Sequence, residues 1–171
     1  MVCEICDTIQ EKENIIFENG DVFAFLNPTP ACLGHVTIVP KKHFPIIENV
    51  PDFIVADMFK VANKISSAIF ESLGAQGTNI IVNNGVDAGQ KKPHASVEVL
   101  ARKEKDNLNF QWKPKQLTQE EMSTVELTIR EKTKNIGEFQ KEEAKPISMD
   151  KKTEKISDEE SMLVDQLNRL P

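Results

Sequence analysis

The sequence predicts an α+β fold, in which a mostly antiparallel sheet carries one long packed helix. Short apolar runs bounded by turn residues occupy residues 15–39 and 78–101, as is typical of β-strands. Between them, residues 51–73 place apolar side chains at helical spacing. With 171 residues and 39% hydrophobic content, the chain can form one packed domain and still leave residues for an appended segment.

The first two strands are predicted to form a hairpin. Ile15–Glu18 and Val22–Leu26 are short apolar runs, and Asn19-Gly20 between them is the strongest two-residue hairpin signal. The Asn-Pro-Thr-Pro run of residues 27–30 then interrupts regular structure, because proline cannot donate to a strand ladder. A third strand is predicted over His35–Val39.

One long amphipathic helix separates these strands from the next two. It is predicted over residues 51–73, with Gly74 as its C-terminal stop. Strands are then predicted over residues 78–83 and 94–101, and residues 108–112 are a candidate for a further strand.

The C-terminal part is predicted to be a helical extension. Residues 116–137 form a second packed helix, which begins at the capping box of Thr118 and Glu121. Residues 138–156 are rich in Glu and Lys and have few large apolar groups. This composition predicts a charged linker. Residues 157–171 follow as a short amphipathic docking helix, for which we expect a protein partner.

Charge and hydropathy exclude several classes of partner. The 21 basic and 27 acidic residues give a net charge of −6, which disfavours binding to nucleic acid. No apolar run approaches the roughly 18 residues of a membrane span, and the N-terminus has no secretory signal pattern. We therefore expect a cytoplasmic protein whose partners are small ligands or other proteins.

The pair Cys3 and Cys6 has three possible meanings: a redox couple, two zinc ligands or two buried thiols. Redox chemistry is disfavoured because no strand precedes Cys3. Zinc would need two more ligands, and the chain offers His35, His43 and His94. Spacing alone does not decide which two would join the cysteines.

A strand over residues 94–101 would divide its side chains between two faces, because successive residues of a strand alternate. His94, Ser96 and Glu98 would share a face that is open to a pocket or to solvent. The small apolar residues would face the core: Ala95, Val97, Val99 and Ala101.

This strand and the turn before it are similar to the signature of the histidine triad (HIT) superfamily, in which a Gly-Gln turn precedes histidines at alternate positions. Here the turn is Gly89-Gln90. Gly34-His35 and Asn83 also fit the family pattern, and the resemblance covers roughly residues 3–112. It implies a HIT-like domain over residues 1–115, and it implies a homodimer.

The resemblance also implies two sets of site residues. One structural zinc ion per chain would be bound by Cys3, Cys6, His43 and His94. A purine nucleotide would be contacted by Asn27, Asn83, Gly89, Gln90, Lys91, Ser96 and Glu98.

The triad itself is degenerate, with Ser96 and Glu98 in the places of the second and third histidines. In the family the middle histidine attacks the α-phosphorus, and a serine without an adjacent base is a poor substitute. A carboxylate at position 98 repels a phosphate unless it is protonated or paired with a cation, for which Lys91 and Lys92 are candidates. We expect no ordinary HIT hydrolase activity, and His35 is interpreted as structural.

Three functions remain open. The first is a catalytically impaired module that binds a nucleotide or a protein. The second is an enzyme that acts through other residues such as Glu98, with phosphoramidase or dinucleoside polyphosphate hydrolase-like activity. The third is a zinc-stabilised dimeric scaffold whose tail recruits a partner. Ser96 and Glu98 either form a site with a new function or lie at the rim of the pocket and changed after the original catalytic function was lost.

Overall fold

A computed structural model of the protein describes residues 3–134. These residues divide into two compact units, one that extends to residue 112 and one that begins at residue 113. In the first unit, five strands form one antiparallel sheet in the order β1-β2-β3-β5-β4. The elements are α1 (Glu4–Glu11), β1 (Ile15–Glu18), β2 (Val22–Leu26), β3 (Val36–Pro40), α2 (Asp52–Leu73), β4 (Gly77–Ile81), β5 (Val97–Arg102) and α3 (Gln119–Lys132). The predicted α+β class is confirmed.

The predicted hairpin of β1 and β2 forms around Asn19-Gly20. The Asn19 side chain accepts hydrogen bonds from the backbone N–H groups of Asp21 and Val22, at 3.0 and 2.7 Å. An asparagine that bonds its own turn in this way favours reversal of the chain, which explains why this dipeptide is a strong signal. The register shifts between Ile15 and Phe17, so β1 carries an irregularity at the sheet edge.

Helix α2 covers one face of the sheet, as its apolar periodicity predicts. Ile54, Met58 and Ile65 are buried in the same cluster as strand residues such as Ile38 and Val97. Burying an aliphatic side chain of this size contributes about 1.5–3 kcal/mol relative to leaving it exposed. The helix ends at Gly74, whose left-handed backbone (φ 60°) glycine adopts without strain.

The opposite face of the sheet carries a smaller core, which helix α1 covers. Cys3 and Ile5 pack there with Phe23, Phe25 and Val39. The sequence did not indicate α1, because its eight residues are too few for a clear periodic pattern. Because α1 packs on this face, it holds both Cys3 and Cys6 against the sheet.

Two strand boundaries differ from the prediction by two or more residues. β4 ends at Ile81, two residues earlier than expected. β5 begins at Val97 rather than at position 94, because the Ala95 N–H donates to the carbonyl of Phe44 in a loop instead of to a neighbouring strand. The alternation of faces nevertheless holds, since Ala95 and Val97 are both buried in the α2-side core.

The candidate strand over residues 108–112 is wrong. The Leu108 carbonyl accepts a hydrogen bond from the Arg102 side chain rather than from a strand backbone. Lys105 and Asn107 have positive φ angles of 62° and 59°, so the chain turns sharply before it could pair with the sheet.

In the second unit, α3 begins at the predicted capping box. The Thr118 side chain accepts from the Glu121 N–H, and the Glu121 carboxylate accepts from the Thr118 N–H. That this helix packs on the domain or on a partner stays a prediction. The charged linker of residues 138–156 and the docking helix of residues 157–171 lie outside the described residues. Within the described range, no helix is long and apolar enough to cross a membrane.

Candidate functional site

A cavity of about 230 Å³ opens on the sheet face away from α2. The strand register forms its floor, because Phe25 lies opposite Thr37 and Thr37 lies opposite Glu98. The cavity is lined by all seven residues predicted to contact a nucleotide: Asn27, Asn83, Gly89, Gln90, Lys91, Ser96 and Glu98. The structure therefore brings together residues that are up to 71 positions apart in the sequence (98 − 27).

The Glu98 carboxylate is held by three donors. The Thr37 hydroxyl donates to Oε2 at 2.6 Å, and His35 Nε2 lies 3.0 Å from the same oxygen. The Ser96 hydroxyl donates to Oε1 at 2.8 Å. Burial raises the pKa of Glu98, but these hydrogen bonds outweigh it and hold that pKa below its usual value. Glu98 is therefore a carboxylate at neutral pH.

His35 joins this network as a neutral imidazole. The backbone N–H of Ala31 donates to His35 Nδ1 at 3.1 Å, which requires a lone pair on that nitrogen. The ring proton is then on Nε2, from which it donates to Glu98. Gly34 precedes the histidine with φ +88°, and a Cβ there would lie 2.6 Å from Leu73 Cδ1. Glycine thus lets the chain enter β3 with His35 directed at Glu98.

Neither candidate lysine, Lys91 or Lys92, forms an ion pair with Glu98. The Lys92 ammonium pairs with Glu4 at 2.7 Å. Lys91 lines the cavity, but no described basic side chain except His35 lies at ion-pairing distance from Glu98. Hydrogen-bond donors, rather than a lysine, stabilise the carboxylate.

Two predicted ligand-binding residues are already engaged within the protein. The Gln90 amide accepts from the Gly85 N–H at 2.8 Å and donates to the carbonyl of Pro45 at 2.6 Å, so it braces the loop before β5. The Asn27 amide donates to Thr37 Oγ1 at 2.9 Å. Each contributes shape to the cavity, and each already uses part of its amide hydrogen-bonding capacity within the protein.

A second cluster adjoins the cavity and unites the four predicted metal ligands. The Sγ atoms of Cys3 and Cys6 and a ring nitrogen from each of His43 and His94 lie within 4.8 Å of one another. The Cys6 sulfur is 3.5 Å from His43 Nδ1 and 3.6 Å from His94 Nδ1. Tetrahedral zinc, with sulfur at about 2.3 Å and nitrogen at about 2.0 Å, would separate these atoms by about 3.5 Å. The donor set and spacing therefore fit a zinc ion.

The surroundings of His94 prepare its ring for this role. Nε2 lies 2.9 Å from the Pro40 carbonyl, to which it donates, and this leaves the Nδ1 lone pair directed at the sulfur atoms. Burial and the neighbouring His43 lower the pKa of His94, which keeps the ring neutral and able to ligate. A carbonyl that fixes the tautomer of a buried histidine is a common feature around metal-bound imidazoles.

The thiols would depend on a cation for their ionisation. Burial, with the nearby Cys3, raises the pKa of Cys6 to about 11. A thiol with this pKa is a poor nucleophile at neutral pH, which argues against a reactive redox pair. Zinc would supply the positive charge that two adjacent thiolates need.

Sequence reasoning missed Thr37 as a partner of Glu98 and did not connect His35 to that carboxylate. His35 and Thr37 alternate along one strand, which signals a shared face. Only the register between β3 and β5 brings them to Glu98, and a single sequence does not fix that register.

Comparison with known proteins points to one family. A sequence model of the HIT domain matches residues 8–105. An adenylylsulfatase of Arabidopsis thaliana is 34% identical over 108 residues, which cover 62% of this chain and 55% of that protein. A bis(5′-nucleosyl)-tetraphosphatase of Schizosaccharomyces pombe is 34% identical over 83 residues, which cover 48% of this chain and 46% of that protein. The chain thus spans about half the length of these two enzymes.

Solved structures agree with this result. A HIT family protein from Bacillus subtilis superposes with a TM-score of 0.71 at 25% identity, covering 77% of this chain and 96% of that one. A zinc-bound histidine triad protein from Mycobacterium smegmatis gives a TM-score of 0.60 at 30% identity, covering 67% of this chain and 85% of that one. The domain match, the relatives and the shared fold together show that this chain belongs to the HIT family.

Proposed function

We propose that the protein is a zinc-bearing HIT module that binds a purine nucleoside or nucleotide and does not hydrolyse it at the rate of its enzymatic relatives. The observation that carries this proposal is the hydrogen bond from the Ser96 hydroxyl to Glu98 in a cavity that retains the predicted ligand-binding residues. The names of the plant and yeast relatives, an adenylylsulfatase and a bis(5′-nucleosyl)-tetraphosphatase, support a nucleotide-like ligand.

The loss of hydrolysis follows from the chemistry of the two substituted positions. A serine phosphoester is a more stable intermediate than a phosphoramidate on histidine, so an intermediate on Ser96 would turn over slowly. Removing a nucleophile from an enzyme typically costs about 10⁴- to 10⁶-fold in turnover. Glu98 adds a second barrier, because a carboxylate repels the phosphate that would approach Ser96.

One observation favours a second function, that of an enzyme in which Glu98 is a general base. The carboxylate accepts a hydrogen bond from the Ser96 hydroxyl, with 2.8 Å between the oxygens. A base needs this geometry to activate a hydroxyl or a water. Its lowered pKa opposes this role, because the hydrogen bonds that hold the anion also weaken it as a base. Binding without turnover is therefore the better-supported function.

Titration calorimetry and a hydrolysis assay separate the two functions. We expect adenosine or AMP to bind the full-length protein and adenosine phosphoramidate to survive incubation with it. A hydrolysis rate that Glu98→Gln abolishes would establish the second function. If the protein binds no nucleoside or nucleotide and hydrolyses nothing, it is instead a zinc-stabilised dimeric scaffold whose tail recruits a partner.

The metal cluster is proposed to hold one structural zinc ion through Cys3, Cys6, His43 and His94. The separations between sulfur and nitrogen atoms support this, as does the hydrogen bond that fixes the His94 tautomer. The ion would connect α1 to the residues that follow β3 and precede β5. Its role is to stabilise the wall of the cavity, since His94 contributes to both sites.

A homodimer is proposed to form across β4 and the adjacent side of α2. β4 is an edge strand, and the Ser66 hydroxyl lies 2.5 Å from that of Thr78, which places this side of the helix against the strand. Phe59, Phe70 and Ile80 remain 43%, 52% and 41% exposed there. An unpaired edge beside exposed aromatic side chains is a surface that a second copy would cover.

Sedimentation velocity tests the dimer. Phe59→Ser is expected to shift the protein from dimer to monomer at micromolar concentration, because it removes an aromatic anchor from this surface. Phe53→Ser is the matched control: Phe53 is 47% exposed but lies about 120° away around the helix. A wild-type monomer, or equal effects of the two substitutions, would contradict the proposed interface.

A further inference from the structure

We infer that Glu98 makes the cavity select an uncharged or cationic nucleoside and disfavour the corresponding nucleoside phosphate. The inference rests on the proposed function, in which the phosphate of a bound nucleotide would approach Ser96. It goes further by naming the charge of the ligand class that the cavity accepts.

No described lysine or arginine forms an ion pair with the Glu98 carboxylate at the base of the cavity. His35 contributes a hydrogen bond but no positive charge, because its Nδ1 accepts from the Ala31 N–H. Lys92 is paired with Glu4, and Lys91 lines the cavity without reaching Glu98 at ion-pairing distance. Glu98 and its donors therefore carry a net charge of −1, in surroundings where partial burial weakens screening by solvent.

A ligand can reach this charge. The Glu98 side chain is 18% exposed, and it lines the cavity beside Ser96. Two donors, Thr37 and His35, occupy Oε2, whereas Oε1 receives only the Ser96 hydroxyl. Because a carboxylate oxygen can accept two hydrogen bonds, Oε1 has a free lone pair for a hydroxyl or an ammonium group of the ligand.

Asn27 stabilises the Glu98 carboxylate indirectly, through Thr37. A hydroxyl has a single proton, so Thr37 can donate to Glu98 only if its other partner is a donor. The Asn27 amide is that donor, at 2.9 Å from Thr37 Oγ1. An aspartate at position 27 would instead compete for the Thr37 proton. Asn27 therefore leaves the Thr37 proton available for donation to Glu98.

Calorimetric titration of the zinc-loaded full-length protein at pH 7 tests the inference with three probes of graded charge. These are 5′-amino-5′-deoxyadenosine, adenosine and AMP. We expect affinity to fall in that order, with adenosine at least about tenfold tighter than AMP, because an anion close to a carboxylate is disfavoured at low effective dielectric. The preference is expected to shrink as ionic strength rises.

Glu98→Gln tests whether the carboxylate causes the preference, since glutamine keeps the size and shape of the side chain and removes its charge. AMP is expected to gain about tenfold in affinity and the amino-nucleoside to lose about tenfold. Glu71→Gln, on the exposed surface of α2, makes the same charge change far from the cavity and is expected to alter neither. The wild-type series remains decisive if the Glu98 variant does not fold.

The outcomes distinguish this inference from the function on which it rests. If wild type binds AMP as tightly as adenosine or tighter, the inference is overturned and the nucleotide pocket stands. An adenosine preference that Glu98→Gln leaves unchanged also overturns it. If wild type binds none of the three probes, the pocket itself is refuted and the inference with it.

Discussion

Replacing Cys6 by serine is expected to destabilise the protein by on the order of 3 kcal/mol and to lower its thermal midpoint by about 10 °C. The substitution removes one of four ligand atoms that lie within 4.8 Å of one another. The proposed ion joins parts of the chain that are far apart in sequence, since Cys6 and His94 are separated by 88 residues. Losing the ion would weaken the attachment of α1 to the sheet, where Ile5 would still pack, and would leave His94 buried without its metal.

Cys32→Ser is the matched control for this experiment. Cys32 is also a free cysteine of intermediate burial, but it does not belong to the metal cluster. We expect it to keep one zinc per chain and to shift the midpoint by much less. Equal destabilisation by the two substitutions, or wild-type protein purified without chelators that carries far less than one zinc per chain, would refute the zinc site.

Ser96→His alone is expected to leave hydrolysis of adenosine phosphoramidate within about tenfold of the wild-type rate, although it restores the nucleophile of the family. Positions 96 and 98 share a face of the strand, so the new imidazole would lie beside the Glu98 carboxylate. That carboxylate would still repel the incoming phosphate and would hold the imidazole in its protonated, non-nucleophilic form.

The double variant Ser96→His with Glu98→His is expected to gain at least about 10³-fold, because it restores the nucleophile and removes the repulsion together. Glu98→His alone, which lacks a nucleophile, is the control and is expected to gain little. Initial rates for the four proteins measure the coupling between the two positions. Full restoration by Ser96→His alone would show that Glu98 does not oppose the phosphate.

The elements that sequence predicted well are those whose signal is local. α2 follows from apolar residues at helical spacing, and the first hairpin follows from the turn chemistry of Asn19. Placing Ser96 and Glu98 on one face required only the alternation of a strand. The predicted metal ligands came from resemblance rather than from spacing, and the structure clusters all four.

What the sequence did not predict depends on contacts between distant segments. Thr37 and Glu98 are 61 residues apart, and only the register between β3 and β5 joins them. The wrong prediction of a strand after residue 107 has a different, local cause: the Arg102 side chain donates to the Leu108 carbonyl six residues later, and the apolar pattern of residues 108–112 does not reveal this contact. Lys92 does not pair with Glu98 because it has a nearer carboxylate in Glu4.

We propose that this HIT domain keeps a ligand cavity and a metal cluster but lacks the chemistry of hydrolysis. The rate at which the zinc-loaded full-length protein hydrolyses adenosine phosphoramidate, measured beside a HIT enzyme that has all three histidines, tests this proposal. We predict a rate at least about 10⁴-fold below that enzyme. A rate within tenfold of it, abolished by Glu98→Gln, would contradict the proposal and make Glu98 a catalytic base.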